Sequence, residues 1–199
     1  MRAKTTRFGI VALCLTGISG LGAQVSQQGS PRASVHQEFT FANIAWGSSA
    51  ENVKAAMSAQ GLTFYRTVGE DNLIFTGRLM DQKVAAYAMM ARDSVTKIAI
   101  VFFQPERARR FYNSMMGTLI EKYGPPRDTT VSFSAPYHEG DGRVDEAIAA
   151  DKASFMATWG EDEEKTQTMW LLLEHHDVVL AYETPAFVRE ANRKKARPF

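Results

Sequence analysis

The sequence predicts an α+β fold in which an antiparallel sheet, built from two α-β4 halves, carries two main helices on one face. Two segments place apolar residues at helical spacing, and each is followed by about four runs rich in β-branched and aromatic residues. Short polar breaks of the kind that form hairpin turns separate most of these runs. We favour a single eight-stranded sheet over two separate sheets, and the halves show no convincing residue-level repeat.

The first 23 residues have the order of a secretory signal peptide. Three basic residues in the first seven positions precede an apolar stretch at 8–15, and a small-residue region ends at Ala23. We expect export from a bacterial cytoplasm, cleavage near Ala23, and a periplasmic or secreted product. The alternative is a retained membrane anchor, for which the apolar stretch is short, since a span needs about 20 apolar residues.

Cys14 allows a further alternative, a lipoprotein acylated at that cysteine. Leu13 is bulky at the position where lipoprotein processing requires a small residue, so we favour simple cleavage. A chain cut after Ala23 keeps no cysteine, which excludes disulfides, a thiol nucleophile and a cysteine-ligated metal. We expect no cofactor and no bound metal.

The charge of the mature chain is not that of a nucleic-acid-binding protein. Loss of residues 1–23 lowers Lys plus Arg from 23 to 20 against 22 Asp plus Glu, so the formal charge changes from +1 to −2. Because proteins that bind nucleic acid typically carry a basic surface, we expect no nucleic-acid partner. We also expect no transmembrane segment in the mature chain.

Composition divides the mature chain into three parts. Residues 24–37 are rich in Gln, Ser, Gly and Arg without apolar periodicity, which predicts a flexible leader. A single α+β domain is expected at 38–186, followed by a basic and helical C-terminal tail at 187–199. The tail fits a solubilising role or, alternatively, contact with anionic lipid headgroups.

In the first half, Ser48 followed by Glu51 forms a capping-box pattern that predicts a helix start. We expect this helix to end near Gln60, before Gly61. The last strand-like run of this half is apolar on both faces, which predicts a central, covered strand. The four strands of this half are predicted at 62–68, 72–78, 83–91 and 95–103.

In the second half, Pro105 is expected in the first turn of the longest helix, where its missing N–H costs nothing. Gly124 and the two prolines after it predict the end of that helix. An insertion at 136–152 contains a predicted short helix at about 144–150. The apolar face of the long helix is Ala108, Phe111, Tyr112, Met115, Leu119 and Tyr123, and strands are predicted at 129–135, 153–159, 168–174 and 178–183.

Two short stretches carry a resemblance to known proteins. The first is Phe41-x-x-Ile44-x-Trp46-Gly47-x-Ser49, and the second is Leu119-x-x-Lys122-Tyr123-Gly124-x-Pro126. Together they resemble small exported bacterial proteins of unknown function. The succession of helix and hairpins is also similar to the outer-membrane assembly lipoprotein BamE and to β-lactamase-inhibitor-type folds. This resemblance implies a role in binding proteins.

The insertion holds the candidate binding residues. It bunches oxygen-bearing and basic side chains around two glycines, and long irregular segments frequently carry recognition. It partly resembles a calcium loop, although the alternating acidic positions and the closing Glu of that motif are absent. We therefore favour a solvated recognition loop over a calcium site. The candidate residues are His138, Glu139, Asp141, Arg143 and Asp145.

Two other clusters of side chains suggest alternative functions. His175 and His176 are expected in a polar hairpin turn, with a metal site as the alternative. The three arginines at 107, 109 and 110 are expected on the solvent face of the long helix, with an anion site as the alternative. No nucleophile elbow, P-loop or dinucleotide-binding motif is present in the sequence.

The sequence therefore favours a non-catalytic, exported protein-binding module with an envelope or extracellular partner. The alternatives are an envelope hydrolase, whose site is assembled only in three dimensions, and a small-ligand carrier. A deep polar pocket that joins a His to carboxylates would favour the hydrolase, and an apolar cavity would favour the carrier. An exposed apolar or edge-strand patch would favour protein binding. The sequence leaves the oligomeric state open.

Overall fold

The computed structural model describes residues 38–69, 72–163 and 165–195. The predicted signal peptide at 1–23 and leader at 24–37 lie outside the described residues, as does the end of the predicted tail, 196–199. Within the described residues, no helix is both long enough and apolar enough to cross a membrane.

The described residues form two successive units, each with one main helix followed by four strands; the second unit also contains a short helix, and a further helix comes last. The first unit is α1 (Ala50–Ala59), β1 (Thr63–Val68), β2 (Asn72–Leu79), β3 (Gln82–Ala91) and β4 (Ser94–Phe102). The second unit is α2 (Ala108–Tyr123), β5 (Asp128–Phe133), α3 (Val144–Ala149), β6 (Ala153–Trp159), β7 (Thr168–Glu174) and β8 (Asp177–Glu183), and α4 (Pro185–Lys195) comes last.

The eight strands of the described residues all belong to one antiparallel sheet, so the predicted single sheet is confirmed. Its order is β1-β2-β3-β4-β8-β7-β6-β5. The two four-stranded meanders meet at β4 and β8, where Ile100 lies opposite Leu180. This position confirms that β4 is a central strand. It also places β1 and β5 at the two ends of the sheet.

One hydrophobic core joins both units. Val53 and Met57 of α1, and Tyr112 and Met115 of α2, are buried in the same cluster. Alternating residues of the central strands complete this cluster, as the two-residue period of a strand requires. They are Ile98, Ile100 and Phe102 of β4 with Val178, Leu180 and Tyr182 of β8.

Helix α1 begins one residue later than the capping box predicts. Ser49 is the N-cap, and its side-chain oxygen accepts the Asn52 N–H at 3.5 Å. The backbone of Ser48 is engaged elsewhere, because its carbonyl accepts the Val95 N–H at 3.0 Å. Asp93, in the turn between β3 and β4, accepts the Ala50 N–H at 3.3 Å. A contact across 43 residues thus helps to fix the start of the helix.

Helix α2 also begins later than predicted, since Pro105 lies in the connection before it. Both Gln104 (φ 41°) and Arg107 (φ 55°) have left-handed backbone conformations, which interrupt a helix. The Gln104 N–H donates to Asp177 Oδ1 at 2.9 Å and so ties this connection to the start of β8. The predicted end is confirmed, because Gly124 caps the helix with a φ of 79°.

Helix α4 contacts strand β4 of the sheet. Val188 is buried, and Thr184, just before the helix, donates its hydroxyl to the Thr96 carbonyl at 2.9 Å. Below the helix, Lys97 forms an ion pair with Glu183, and both side chains are only about one-eighth exposed. Lys97 also lies 4.6 Å from the centre of the Phe187 ring. The first turns of α4 are therefore part of the folded body.

Candidate functional site

The insertion between β5 and β6 is folded around Asp141. One carboxylate oxygen accepts the Arg143 N–H at 2.8 Å, and the other accepts the His138 N–H at 3.2 Å. The bond from the Arg143 amide is the main reason that the pKa of Asp141 lies below its usual value, and the His138 amide adds to it. Asp141 therefore serves as an organiser of the loop.

The remaining loop residues make local contacts at the surface. Arg143 donates from Nε to Glu146 Oε2 at 2.9 Å, and its guanidinium lies 4.6 Å from the centre of the Tyr137 ring. His138 and Glu139 are exposed. Within residues 38–69, 72–163 and 165–195, no group of three or more His, Cys, Asp or Glu side chains is placed to hold a metal ion.

Helix α3 connects the insertion to the core. Ala147 is fully buried and Ile148 is 6% exposed, whereas Asp145, on the same short helix, has a side chain that is 81% exposed. Asp145 faces Arg109 of α2 across 3.8 Å. Of the five predicted residues, Asp145 lines a concavity, and the other four are not part of its lining.

That concavity has a volume of about 750 Å³ and lies between the start of α2, helix α3 and the turn between β7 and β8. We name it the arginine cleft. Its basic side chains are Arg107, Arg109 and Arg110, and its other lining residues include Asp145, Ile148 and His176. The insertion and the arginines, which the sequence presents as separate features, are therefore brought together by the fold.

The two histidines form the turn between β7 and β8, as predicted. His175 and His176 have φ values of 50° and 63°, and such a left-handed pair matches the twist of a two-residue hairpin. Both rings approach Asp151, with His176 Nε2 at 3.4 Å and His175 Nδ1 at 3.8 Å from Oδ1. The neighbouring Asp177 has a raised pKa, chiefly because burial disfavours its charged form.

A second prominent surface lies on β1, the edge strand at the end of the sheet away from β5. All six residues of this strand are exposed. Six large hydrophobic side chains are exposed among the described residues, and three of them belong to β1: Phe64 (39%), Tyr65 (63%) and Val68 (40%). We name Phe64, Tyr65, Arg66 and Val68 the β1 patch.

Basic and aromatic side chains are paired in the β1 patch. Lys54 of α1 lies 4.4 Å from the centre of the Phe64 ring, and the Arg66 guanidinium lies 5.3 Å from the centre of the Tyr65 ring. The pairing of β1 with β2 shifts register between Phe64 and Arg66, so Tyr65 occupies a β-bulge. A bulge at a sheet edge changes the direction of the extra residue's side chain.

Sequence reasoning places a strand at 62–68 but does not identify the β1 patch. Strand order decides which strands lie at the edges of a sheet, and hydrophobic periodicity does not report strand order. The one usable clue in the sequence is Arg66 within a run of apolar and β-branched residues, because charged residues in strands are frequent at sheet edges.

Comparison with known proteins adds no relative to these observations. No protein-family model matches the chain, and no curated protein or solved structure matches it significantly.

Proposed function

We propose that the chain is an exported, non-catalytic protein-binding module that binds an envelope or extracellular protein through the β1 patch. The observation that carries this proposal is the concentration of exposed large hydrophobic side chains on one edge strand. Export rests on the signal-peptide pattern of residues 1–23. A binding role also agrees with the resemblance to exported and envelope proteins.

The composition of the β1 patch is typical of an interface centre. Tyr, Phe and Arg are enriched at protein interfaces, and a small number of such residues supplies most of the binding energy. Tyr65 gives a large and nearly rigid surface, and its exposure of 63% means that little folding stability depends on it. We assign Tyr65 as the main anchor of the interface.

The position of β1 adds main-chain recognition. Among the described residues β1 pairs with β2 alone, so the backbone groups on its outer edge have no strand partner. An extended segment of another protein can form hydrogen bonds with such an edge while side-chain contacts provide specificity. The bulge at Tyr65 limits this pairing to short stretches on either side of it.

The charge around the patch indicates the kind of segment that binds there. Lys54 of α1 and Arg66 of β1 lie against rings of the patch, and neither β1 nor β2 contains an acidic residue. Electrostatic complementarity accelerates association and disfavours partners of like charge. We therefore infer a partner segment that is extended and carries acidic side chains.

The base of the β1 patch is attached to the hydrophobic core. We propose that α1 and α2 cover the same face of the sheet, because the buried side chains of both helices share one cluster with the same alternating strand residues. Phe64 packs edge-on against Phe75 at 5.7 Å between ring centres, and Phe75 is fully buried. This contact ties the base of the patch to the core, so binding requires little ordering of β1.

The test is affinity capture of partners from crosslinked cell envelopes with the tagged chain and its variants. Tyr65→Ala is expected to abolish recovery of the partner, and Val68→Thr to reduce it. The matched control is Val131→Thr on β5, since Val131 is 47% exposed at the other end of the sheet. Retention of the same partner by Tyr65→Ala, or an equal loss with Val131→Thr, would overturn the proposal.

A second candidate, an envelope hydrolase, is favoured by one observation: His176 lies at the arginine cleft and is 3.4 Å from Asp151. Such a pair can act as a general base on water. The cleft lining contains no Ser, Thr, Tyr or Cys among the described residues, which leaves water as the nucleophile. This candidate requires ester or phosphoester hydrolysis that is lost in His176→Ala and retained in His138→Ala.

A further inference from the structure

We propose that the arginine cleft binds a small molecule that carries a phosphate group. This inference is independent of the protein-binding role proposed for the β1 patch. The cleft is formed by residues of the second helix-plus-four-strand unit, and the β1 patch belongs to the first.

The first argument is the state of the three arginines. Arg107 and Arg110 form no ion pair with any residue that the structure describes, and both are exposed. Arg109 contacts Asp145 at 3.8 Å, beyond hydrogen-bond distance, and the side chains are 45% and 81% exposed. An exposed pair of this length contributes little energy, so Arg109 remains free to bind another anion.

The second argument concerns the acidic groups nearby, which do not neutralise these arginines. Asp177 accepts the Gln104 N–H at 2.9 Å, and Asp151 lies beside the two imidazoles of the β7–β8 turn. Asp145 is therefore the carboxylate that lines the cleft together with three guanidinium groups. Glu106 lines a second, adjoining concavity of about 450 Å³, which shares Arg107 and Arg110 with the cleft. Positive charge exceeds negative charge in the lining of both.

The third argument is shape. The volume of about 750 Å³ lies within the range of small-molecule sites. Ile148, Ala108 and Pro105 are buried and give the cleft an apolar component. The lining thus joins an apolar surface, which suits the body of a ligand, to a basic wall, which suits its anionic group.

The chemistry of guanidinium groups selects the anion. A guanidinium is planar and donates two parallel hydrogen bonds to phosphate, and it stays charged at every physiological pH. Two or three arginines around one oxyanion match the several oxygens and the double charge of a phosphate monoester better than the single charge of a carboxylate. Asn113 and Gln104 also line the cleft and provide neutral amide groups for the remainder of the ligand.

Isothermal titration of the purified chain with AMP tests this inference, and adenosine is the control without phosphate. We expect saturable binding of AMP, no measurable binding of adenosine, and binding of AMP that is at least about tenfold weaker in the double variant Arg107→Gln with Arg110→Gln. Both arginines are exposed, so the variant is expected to fold.

The matched control is the double variant Lys83→Gln with Arg92→Gln. It removes the same charge from exposed positions on β3 and in the β3–β4 turn, and we expect AMP affinity to be unchanged. Inorganic phosphate is expected to compete with AMP, and sodium chloride at the same ionic strength is not. The inference is wrong if AMP shows no saturable binding, if adenosine binds equally well, or if the control variant loses as much affinity as the cleft variant.

Discussion

The two ends of the sheet occupy equivalent places in the two helix-plus-four-strand units, yet they present different surfaces. At one end, β1 exposes Phe64, Tyr65 and Val68; at the other end, β5 exposes Val131 as its only large hydrophobic side chain that is more than one-third exposed. The residues around Val131 are mostly Thr and Ser. The same architectural plan therefore carries an apolar, aromatic edge in one unit and a mostly polar edge in the other.

The starts of the two main helices differ in a related way. In the first unit, Asp93 from the β3–β4 turn accepts the Ala50 N–H inside the first turn of α1. In the second unit, Asp177, beside the β7–β8 turn, accepts the Gln104 N–H four positions before α2 begins. The first contact caps the helix start, and the second fixes the connection whose residues Gln104 and Pro105 line the arginine cleft. Helix α3, within the 136–152 insertion, contributes Asp145, Ile148 and Ala149 to the lining of the cleft.

The largest expected effect is on the free energy of unfolding, and it differs between substitutions in the core behind β1 and behind β5. Phe75→Ala removes a fully buried ring behind β1 and should lower the free energy of unfolding by about 3–5 kcal/mol. Phe155→Ala behind β5 should cost clearly less, because Phe155 is only partly buried between Tyr112 and Phe133. Urea unfolding of both variants measures the difference, and equal losses would show that the two edges are supported alike.

Smaller changes in stability, of opposite sign, are expected when alanine replaces each of two glycines, Gly117 within α2 and Gly124 at its C-terminal end. A Cβ at Gly117 meets no atom within 4 Å, so Gly117→Ala should stabilise the chain by about 0.5–1 kcal/mol through helix propensity. Gly124 has a φ of 79° and a ψ of −179°, a region that only glycine adopts readily. Gly124→Ala should therefore destabilise by about 1–3 kcal/mol. Thermal or urea unfolding distinguishes the two, and stabilisation by Gly124→Ala would contradict the assigned cap.

The smallest effect concerns the loop that distinguishes the second unit. Since the folded-state pKa of Asp141 lies below the ordinary value of an aspartate, its contribution to stability is present above that ordinary value and is lost as the pH falls through the folded-state pKa. At neutral pH, Asp141→Asn should leave global stability nearly unchanged and accelerate hydrogen exchange in the 134–143 segment. Asp145→Asn is the control, and unchanged exchange in Asp141→Asn would contradict the organising role.

Much of the fold follows from local sequence signals. The bounds predicted for β6 and β7 agree with the structure, and the other strands differ by at most two residues at either end. Hairpin breaks and apolar periodicity depend on neighbouring residues only, so they can be recognised without knowledge of the tertiary structure. The predicted helix starts were wrong: both helices begin later, and the segments before them are held by Asp93 and Asp177, which are distant in the sequence.

The candidate surfaces were harder to predict for the same reason. Among the five residues selected in the insertion, Asp145 alone reaches the arginine cleft, because the others satisfy hydrogen bonds within their own loop or lie exposed. The three arginines are exposed, as predicted for a solvent face, but the cleft beside them is lined by α3 and His176, which are distant in the sequence. Edge position, which makes β1 notable, depends on the order of all eight strands.

The most direct test of the central claim is photo-crosslinking in intact cells from single sites on the two edges. A photoreactive phenylalanine analogue replaces Tyr65 in one variant and Val131 in the other. The account predicts one discrete adduct with a different envelope or extracellular protein from position 65 and no such adduct from position 131. No adduct from position 65, the same adduct from both positions, or an adduct with the mass of two copies of the chain would contradict it.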